Sequence, residues 1–107
     1  MTMDAVFKAL ADPSRRELLD GLRERGGQTL GELCEGRAMT RQAVSKHLAV
    51  LEGASLVVSE KRGREKLHYL NPVPIQEIAD RWIGKYDRGV LAALANLKRQ
   101  LEGDTDG

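Results

Sequence analysis

Two helix starts written eleven residues apart constrain this chain more than any other feature. Thr29-Leu-Gly-Glu32 has the spacing of a capping box, in which a threonine hydroxyl serves the backbone three residues on and a glutamate reaches back. Thr40 caps a second segment that runs about three turns to Gly53. The first segment stops near Gly36, so about four residues join two short helices. That is a helix-turn-helix unit.

Around this unit the other elements follow from periodicity and punctuation. Asp4 to Leu10 reads as a short helix with Phe7 and Leu10 on one face. Asp12-Pro13 reads as an N-cap followed by proline at the first helical position, where a missing N–H costs nothing. The helix it opens turns Leu18, Leu19 and Leu22 inward and ends near Gly26-Gly27. After Ala54 the pattern becomes β-branched at Leu56-Val-Val58; Arg62-Gly63 signals a turn, and Lys66 to Leu70 reads as the returning strand. Asn71-Pro72 ends this hairpin. Ile75, Ile78, Trp82, Tyr86, Val90, Leu94, Leu97 and Leu101 then fall at steps of three or four, which predicts one long helix from about Val73 to Leu101. The expected fold class is mainly α with a small β-hairpin, in the order α-α-α-α-β-β-α: a winged helix-turn-helix. Residues 1–101 are expected to form a single domain, and the polar stretch Glu102-Gly-Asp-Thr-Asp-Gly107 a disordered tail.

The helix after Thr40 is where function is written. At 100° per residue, Val44, Leu48 and Leu51 make a tight apolar stripe that must face a core. Gln42, Ser45, Lys46 and the small Ala49 fall on the opposite side, with Arg41 in the first turn. An amide, a hydroxyl and cations are the groups that read base edges in a major groove. No acidic residue occurs from Thr40 to Leu51, whereas a merely solvated face would carry glutamates. The hairpin tip Lys61-Arg-Gly-Arg64 adds three cations suited to phosphates or a minor groove. Net charge is only +1, but residues 37–70 hold seven Lys/Arg against three Asp/Glu, between acidic flanks. A local basic stripe is the footprint of a polyanion partner. The candidate DNA-binding residues are therefore Thr40, Arg41, Gln42, Ser45, Lys46, His47, Lys61, Arg62 and Arg64.

Here the chain resembles a known family. Phe7-Lys-Ala-Leu-Ala-Asp-Pro-Ser-Arg-Arg-Glu-Leu-Leu19, Met39-Thr-Arg-Gln-Ala-Val-Ser-Lys-His-Leu-Ala-Val-Leu51 and Arg64-Glu-Lys-Leu-His-Tyr-Leu70 are similar, in order and at family spacing, to the ArsR/SmtB-type bacterial repressors. The resemblance implies a homodimer that binds a palindromic operator and blocks transcription until a signal releases it. It also implies dimerisation through the first and last helices, which makes Phe7, Leu10, Trp82, Tyr86, Val90, Leu94 and Leu97 the candidate dimer residues. Metal-sensing members carry Glu-Leu-Cys-x-Cys on the third helix or an Asp/His set on the last. Glu32-Leu-Cys-Glu-Gly36 keeps one thiol and the last helix has no histidine, so the resemblance is to the non-metal-sensing branch. No metal site and no cofactor are expected, and the inducer stays open.

Several single residues carry more than one reading. Cys34 is expected as a small buried hydrophobe on the core side of its helix. His47 borders the core face and could donate to a DNA phosphate or to a neighbouring backbone carbonyl. His68 is expected to be a solvated strand histidine. Arg15 and Arg16 open a helix against its dipole, which points to an outside use, an ion pair within a dimer or a DNA phosphate. Trp82 and Tyr86 suit a dimer seam better than a ligand pocket.

Other function classes fit poorly. No nucleophile–base set stands in motif context and no GxxxxGK[ST] loop occurs, so an enzyme is not expected. A non-specific chromatin-like binder would want a higher overall charge. The main alternative is a winged helix used as a protein–protein interaction module, which would want an aromatic or aliphatic anchor on the outer face of the helix after Thr40. The lone cysteine permits no intrachain disulfide and suits a reducing, cytoplasmic compartment. The longest apolar run, Val90 to Ala95, is far short of the ~20 residues of a membrane span, and residues 1–10 lack the pattern of a secretory signal.

Overall fold

The computed structural model describes residues 2–105. The elements run α1 (Met3–Leu10), α2 (Pro13–Glu24), α3 (Leu30–Cys34), α4 (Arg41–Gly53), β1 (Val57–Arg62), β2 (Glu65–Leu70), α5 (Val73–Trp82) and α6 (Arg88–Thr105). The chain divides into two compact units, one running to Gln76 and one beginning at Glu77.

Each helix of the first unit starts on the side chain that the sequence supplies for it. The Thr2 hydroxyl accepts from Ala5 N at 3.3 Å. Asp12 Oδ1 accepts from Ser14 N at 2.8 Å and Arg15 N at 3.2 Å, with Pro13 beside it at the start of α2. At α3 both halves of the capping box form: Glu32 N donates to Thr29 Oγ1 at 3.2 Å and Thr29 N to Glu32 Oε1 at 3.1 Å. The Thr40 hydroxyl accepts from Ala43 N at 3.1 Å and opens α4. The caps leave an electrostatic mark. The Arg15 backbone N–H, then the Ser14 N–H and the charge of Arg15, hold the Asp12 carboxyl below its usual range; the Thr29 backbone does the same for Glu32.

Arg15 and Arg16 both make hydrogen bonds inside the subunit. Arg15 Nε donates to Ala9 O at 2.8 Å and Nη2 to Lys8 O at 3.0 Å; Arg16 Nη1 donates to Leu10 O at 2.8 Å. These are carbonyls of the last turn of α1, where Lys8 O also accepts from Ala11 N at 3.2 Å. Cations that sit badly at the start of α2 thus sit well at the negative pole of the preceding helix.

Val6, Ala9, Leu18, Leu19, Leu22, Leu33, Val44, Leu48, Leu51, Ala54, Leu56 and Val57 form the core. Each buried Leu or Val is worth about 1.5–3 kcal/mol relative to exposure, so this cluster is what holds α1 to α4 together. Leu30, expected to accompany Leu33, is only half-buried, and so is Cys34, a partial correction to its reading as a core hydrophobe.

The two strands pair antiparallel from Val57↔Leu70 to Arg62↔Glu65, around a turn where Gly63 takes φ +61°. The strands are longer than expected, so Lys61 and Arg62 lie on β1 and the turn itself is Gly63-Arg64. The loop after α2 then joins the sheet at one bridge: Gly27 N donates to His68 O at 2.8 Å and His68 N to Gln28 O at 2.8 Å. Gly27 is needed for that approach, because φ is +77° and a Cβ would stand 3.2 Å from the Tyr69 hydroxyl. This bridge buries His68, which is 4% exposed rather than solvated, and sets its Nδ1 2.9 Å from Gln28 O. A carbonyl only accepts, so Nδ1 carries the proton.

The single long helix expected after Asn71 is two helices. Ile83 N bonds Ala79 O at 2.7 Å and Tyr86 N bonds Ile83 O at 2.8 Å, a turn that closes α5. Asp87 then accepts from Val90 N at 2.8 Å and starts α6 afresh as an N-cap. The spacing of apolar residues persists across the break and so concealed it. At the other end α6 continues to Thr105, past the start of the tail expected at residue 102; Asp106 and Gly107 lie outside the described residues.

Candidate nucleic-acid interface

On α4 the division of faces follows the wheel. Val44, Leu48 and Leu51 are buried, and Arg41, Gln42, Ser45, Lys46 and Ala49 are exposed. Thr40 is exposed too, its oxygen engaged as the cap. His47 stands at the border, half-buried, with Nδ1 3.4 Å from Arg15 Nη1.

The exposed face of α4 forms one wall of a groove of about 520 Å³. Arg41, Ser45 and Ala49 line it from α4, Thr29 and Gly31 from the start of α3, and Arg64, Lys66 and His68 from the hairpin. Recognition helix and wing therefore contribute to one concave surface, within the first unit.

The ion pairs sort its cations. Arg62 Nε lies 3.5 Å from Glu60 Oε1, and Lys66 Nζ lies 3.2 Å from Glu52 Oε1. Arg41, Lys46, Lys61 and Arg64 have no carboxylate at ion-pair distance among the described residues. Of these four only Arg41 and Arg64 line the groove, whose wall also carries Glu52 and Glu65; Lys46 and Lys61 lie outside its lining, with Lys61 opposite Lys66 across the hairpin. Sequence reading passed over Lys66 and Thr29 as groove residues. Lys66 is a strand cation two residues from the turn and was visible; Thr29 was absorbed by its capping role.

The candidate dimer residues lie in both units and each is described there. Phe7 on α1 is exposed and Leu10 half-buried. In the second unit Trp82 is 54% exposed and Leu94 52%, with Tyr86, Val90 and Leu97 exposed as well. Arg81 stands over the Trp82 ring at 5.5 Å and Lys85 over Tyr86 at 5.1 Å, so each ring has a cation on one face. Leu94, Leu97 and Leu101 line an apolar depression along α6 of about 400 Å³.

Among the described residues no three of His, Cys, Asp and Glu gather as a metal site. No described helix is long and apolar enough to cross a membrane.

Comparison with known proteins agrees with this geometry. Residues 10–60 match a helix-turn-helix domain family. The chain is 43% identical over 86 residues to the HTH-type transcriptional regulator YuzN of Bacillus subtilis, covering 75% of this chain and 94% of that one. It is 33% identical over 75 residues to the transcriptional repressor SdpR of the same organism, covering 70% of this chain and 82% of that protein. Among solved structures, an ArsR-like transcriptional regulator from Rhodococcus superposes with a TM-score of 0.68 at 30% identity, over 97% of this chain and 87% of the other. With a winged hairpin beside a capped recognition helix and relatives that are regulators rather than enzymes, the chain belongs to the ArsR/SmtB-type family of DNA-binding winged helix-turn-helix transcriptional regulators.

Proposed function

We propose that this regulator is a repressor that binds a palindromic operator as a homodimer, in the cytoplasm. The observation that carries the reading is the outer face of α4, which offers Gln42, Ser45 and Lys46 around the small Ala49, with no acidic residue from Thr40 to Leu51, while the opposite face is locked in the core. Gln42 suits adenine N6 and N7, Lys46 suits guanine, and Ser45 suits either. Arg41 lies in the first turn, near the groove's edge. Arg64 at the turn, with Lys61 and Arg62 behind it, serves phosphates or the minor groove.

The apolar stripe of the last helices supports the homodimer, because Trp82, Tyr86, Val90, Leu94 and Leu97 are all exposed at steps of three or four residues, the pattern of an interaction face. Pairing of that stripe with its twin gives a two-fold dimer, whose half-sites on DNA are expected at multiples of about one turn. One thiol per subunit, where soft-metal sensing needs at least two thiolates, supports release by something other than a soft metal.

Selection of bound fragments from random DNA tests the whole reading. An enriched inverted repeat with half-sites about 10 base pairs apart, or a multiple of that, supports it. Enrichment of a single half-site removes the homodimer, and no enrichment above random DNA removes sequence reading by α4 and leaves the protein-interaction module.

A further inference from the structure

We propose that His68 is a proton switch in the wall of the DNA groove: a proton taken up on Nε2 pairs the ring with Glu52, releases Lys66 to the DNA and tightens binding as pH falls. His68 is buried where β2 meets the loop after α2. Gln28 O accepts from the His68 backbone N at 2.8 Å and from its ring Nδ1 at 2.9 Å. A carbonyl offers lone pairs and no hydrogen, so Nδ1 is the donor and the neutral ring has its lone pair on Nε2. Nε2 in turn lies 3.8 Å from Oε1 of Glu52, in the last turn of α4.

Two acceptors opposed in this way leave a place for one hydrogen. Glu52 Oε1 is buried and has no hydrogen-bond partner. Lys66 Nζ stands 3.2 Å from the same oxygen, but its hydrogen bond goes to Oε2 at 3.4 Å. A buried acceptor without a donor is unfavourable. A proton from solvent on Nε2 supplies the donor, and closure by about 1 Å makes a charge-assisted hydrogen bond. Glu52 then has a second cation, and the exposed Lys66 side chain is no longer its only counter-charge. The elements packed around the ring offer no rival carboxylate at ion-pair distance among the described residues. β1 sets the uncharged Ser59 opposite His68, and Arg25 at the end of α2 pairs with Glu32 of α3 at 3.2 Å.

The groove is where that charge counts. Its lining carries Arg41, Arg64 and Lys66 against Glu52 and Glu65, and His68 belongs to the same wall. A proton on His68 therefore raises the net charge of the lining from +1 to +2. A polyanion favours the more positive state, and linkage is reciprocal: DNA binding takes up protons, so affinity rises as pH falls. Imidazole is the side chain that ordinarily changes charge between about pH 5 and 8, and the chain has two, His47 and His68. Lys66 adds a second signature. Once released it neutralises one more phosphate per subunit, which steepens the slope of log affinity against log salt by about 0.9.

The proposal rests on this groove being the DNA site, and the test separates the two. Full-length protein is titrated by fluorescence anisotropy against the selected operator and against random DNA, at about pH 8 and about pH 6 and several salt concentrations. The parent is expected to bind both DNAs about tenfold or more tightly at the lower pH, with a salt slope steeper by about 0.9 per subunit. His68→Asn keeps an amide donor near the position of Nδ1 and cannot take the proton; its affinity and slope are expected to be flat with pH. Glu52→Gln, which frees Lys66 at every pH, is expected to show the steep slope at both, and Lys66→Met the shallow slope at both. His47→Asn, whatever it does to affinity, is expected to keep the pH dependence. Calorimetry of the parent in two buffers of different ionisation heat is expected to show proton uptake on binding. A flat parent profile, a dependence carried by His47, a parent salt slope that ignores pH, or no proton uptake overturns the proposal. In those cases Gln42→Ala still losing base preference leaves the reading of α4 intact, whereas a parent that binds no DNA at either pH overturns both. The Glu52 and Lys66 variants decide the matter even if His68→Asn fails to fold.

Discussion

Removing the Arg64 side chain should flatten the salt dependence of DNA binding by an amount the ion pairs fix in advance. Each phosphate neutralised by a protein cation contributes about 0.9 to the slope of log affinity against log salt. Arg64 sits at the wing turn with no carboxylate at ion-pair distance among the described residues, so Arg64→Ala should remove the full contribution. For a homodimer that is about 1.8, which between 50 and 200 mM salt amounts to about a twelvefold smaller loss of affinity than the parent suffers. Arg62 is different. Its Nε already lies 3.5 Å from Glu60 Oε1, and though so exposed a pair is worth only about 0–1 kcal/mol, Arg62 must trade a carboxylate for a phosphate. Arg62→Ala should therefore change the slope by less than Arg64→Ala, and Glu60→Gln, which frees Arg62, should steepen it. Anisotropy titrations on operator and random DNA measure all three, and both DNAs should respond alike because phosphates carry no sequence. An unchanged slope for Arg64→Ala, or a larger change for Arg62→Ala, would refute the argument.

Other consequences are equally concrete. Gln42→Ala should cost about 1–3 kcal/mol on the operator and relax preference at one base position, read by competition against random DNA. Leu51→Ala, at a residue with no exposure and therefore no room to collapse gracefully, should lower stability by about 2–5 kcal/mol in denaturant unfolding. Leu94→Glu with Leu97→Glu should give monomers by sedimentation and abolish operator binding. Asp12 and Glu32 have carboxyls held below their ordinary values of 3.8 and 4.5. Their caps therefore stabilise the fold fully above that range and lose the contribution as pH falls through and below it; Asp12→Asn and Glu32→Gln should flatten the acid limb of a Tm-against-pH curve.

What the sequence by itself determined is what depends on near neighbours. Asp12, Thr29 and Thr40 cap helices because a side-chain oxygen reaches a backbone N–H two or three residues on whatever the rest of the chain does. The two faces of α4 follow from helical pitch alone, which is why Gln42, Ser45 and Lys46 could be placed opposite Val44, Leu48 and Leu51 before any fold was known. The Asp87 cap was written the same way, and only the unbroken apolar spacing around it led to one helix being expected where α5 and α6 form. Tertiary structure decided the rest, because those partners are chosen by packing between distant segments. Arg15 finds carbonyls six and seven residues back and a histidine 32 residues on. His68 is buried by a bridge to Gln28, 40 residues earlier, and Lys66 is neutralised by Glu52, 14 residues earlier. A strand's period says which residues alternate but not which side is covered; the loop after α2, docking on β2, made that choice for His68.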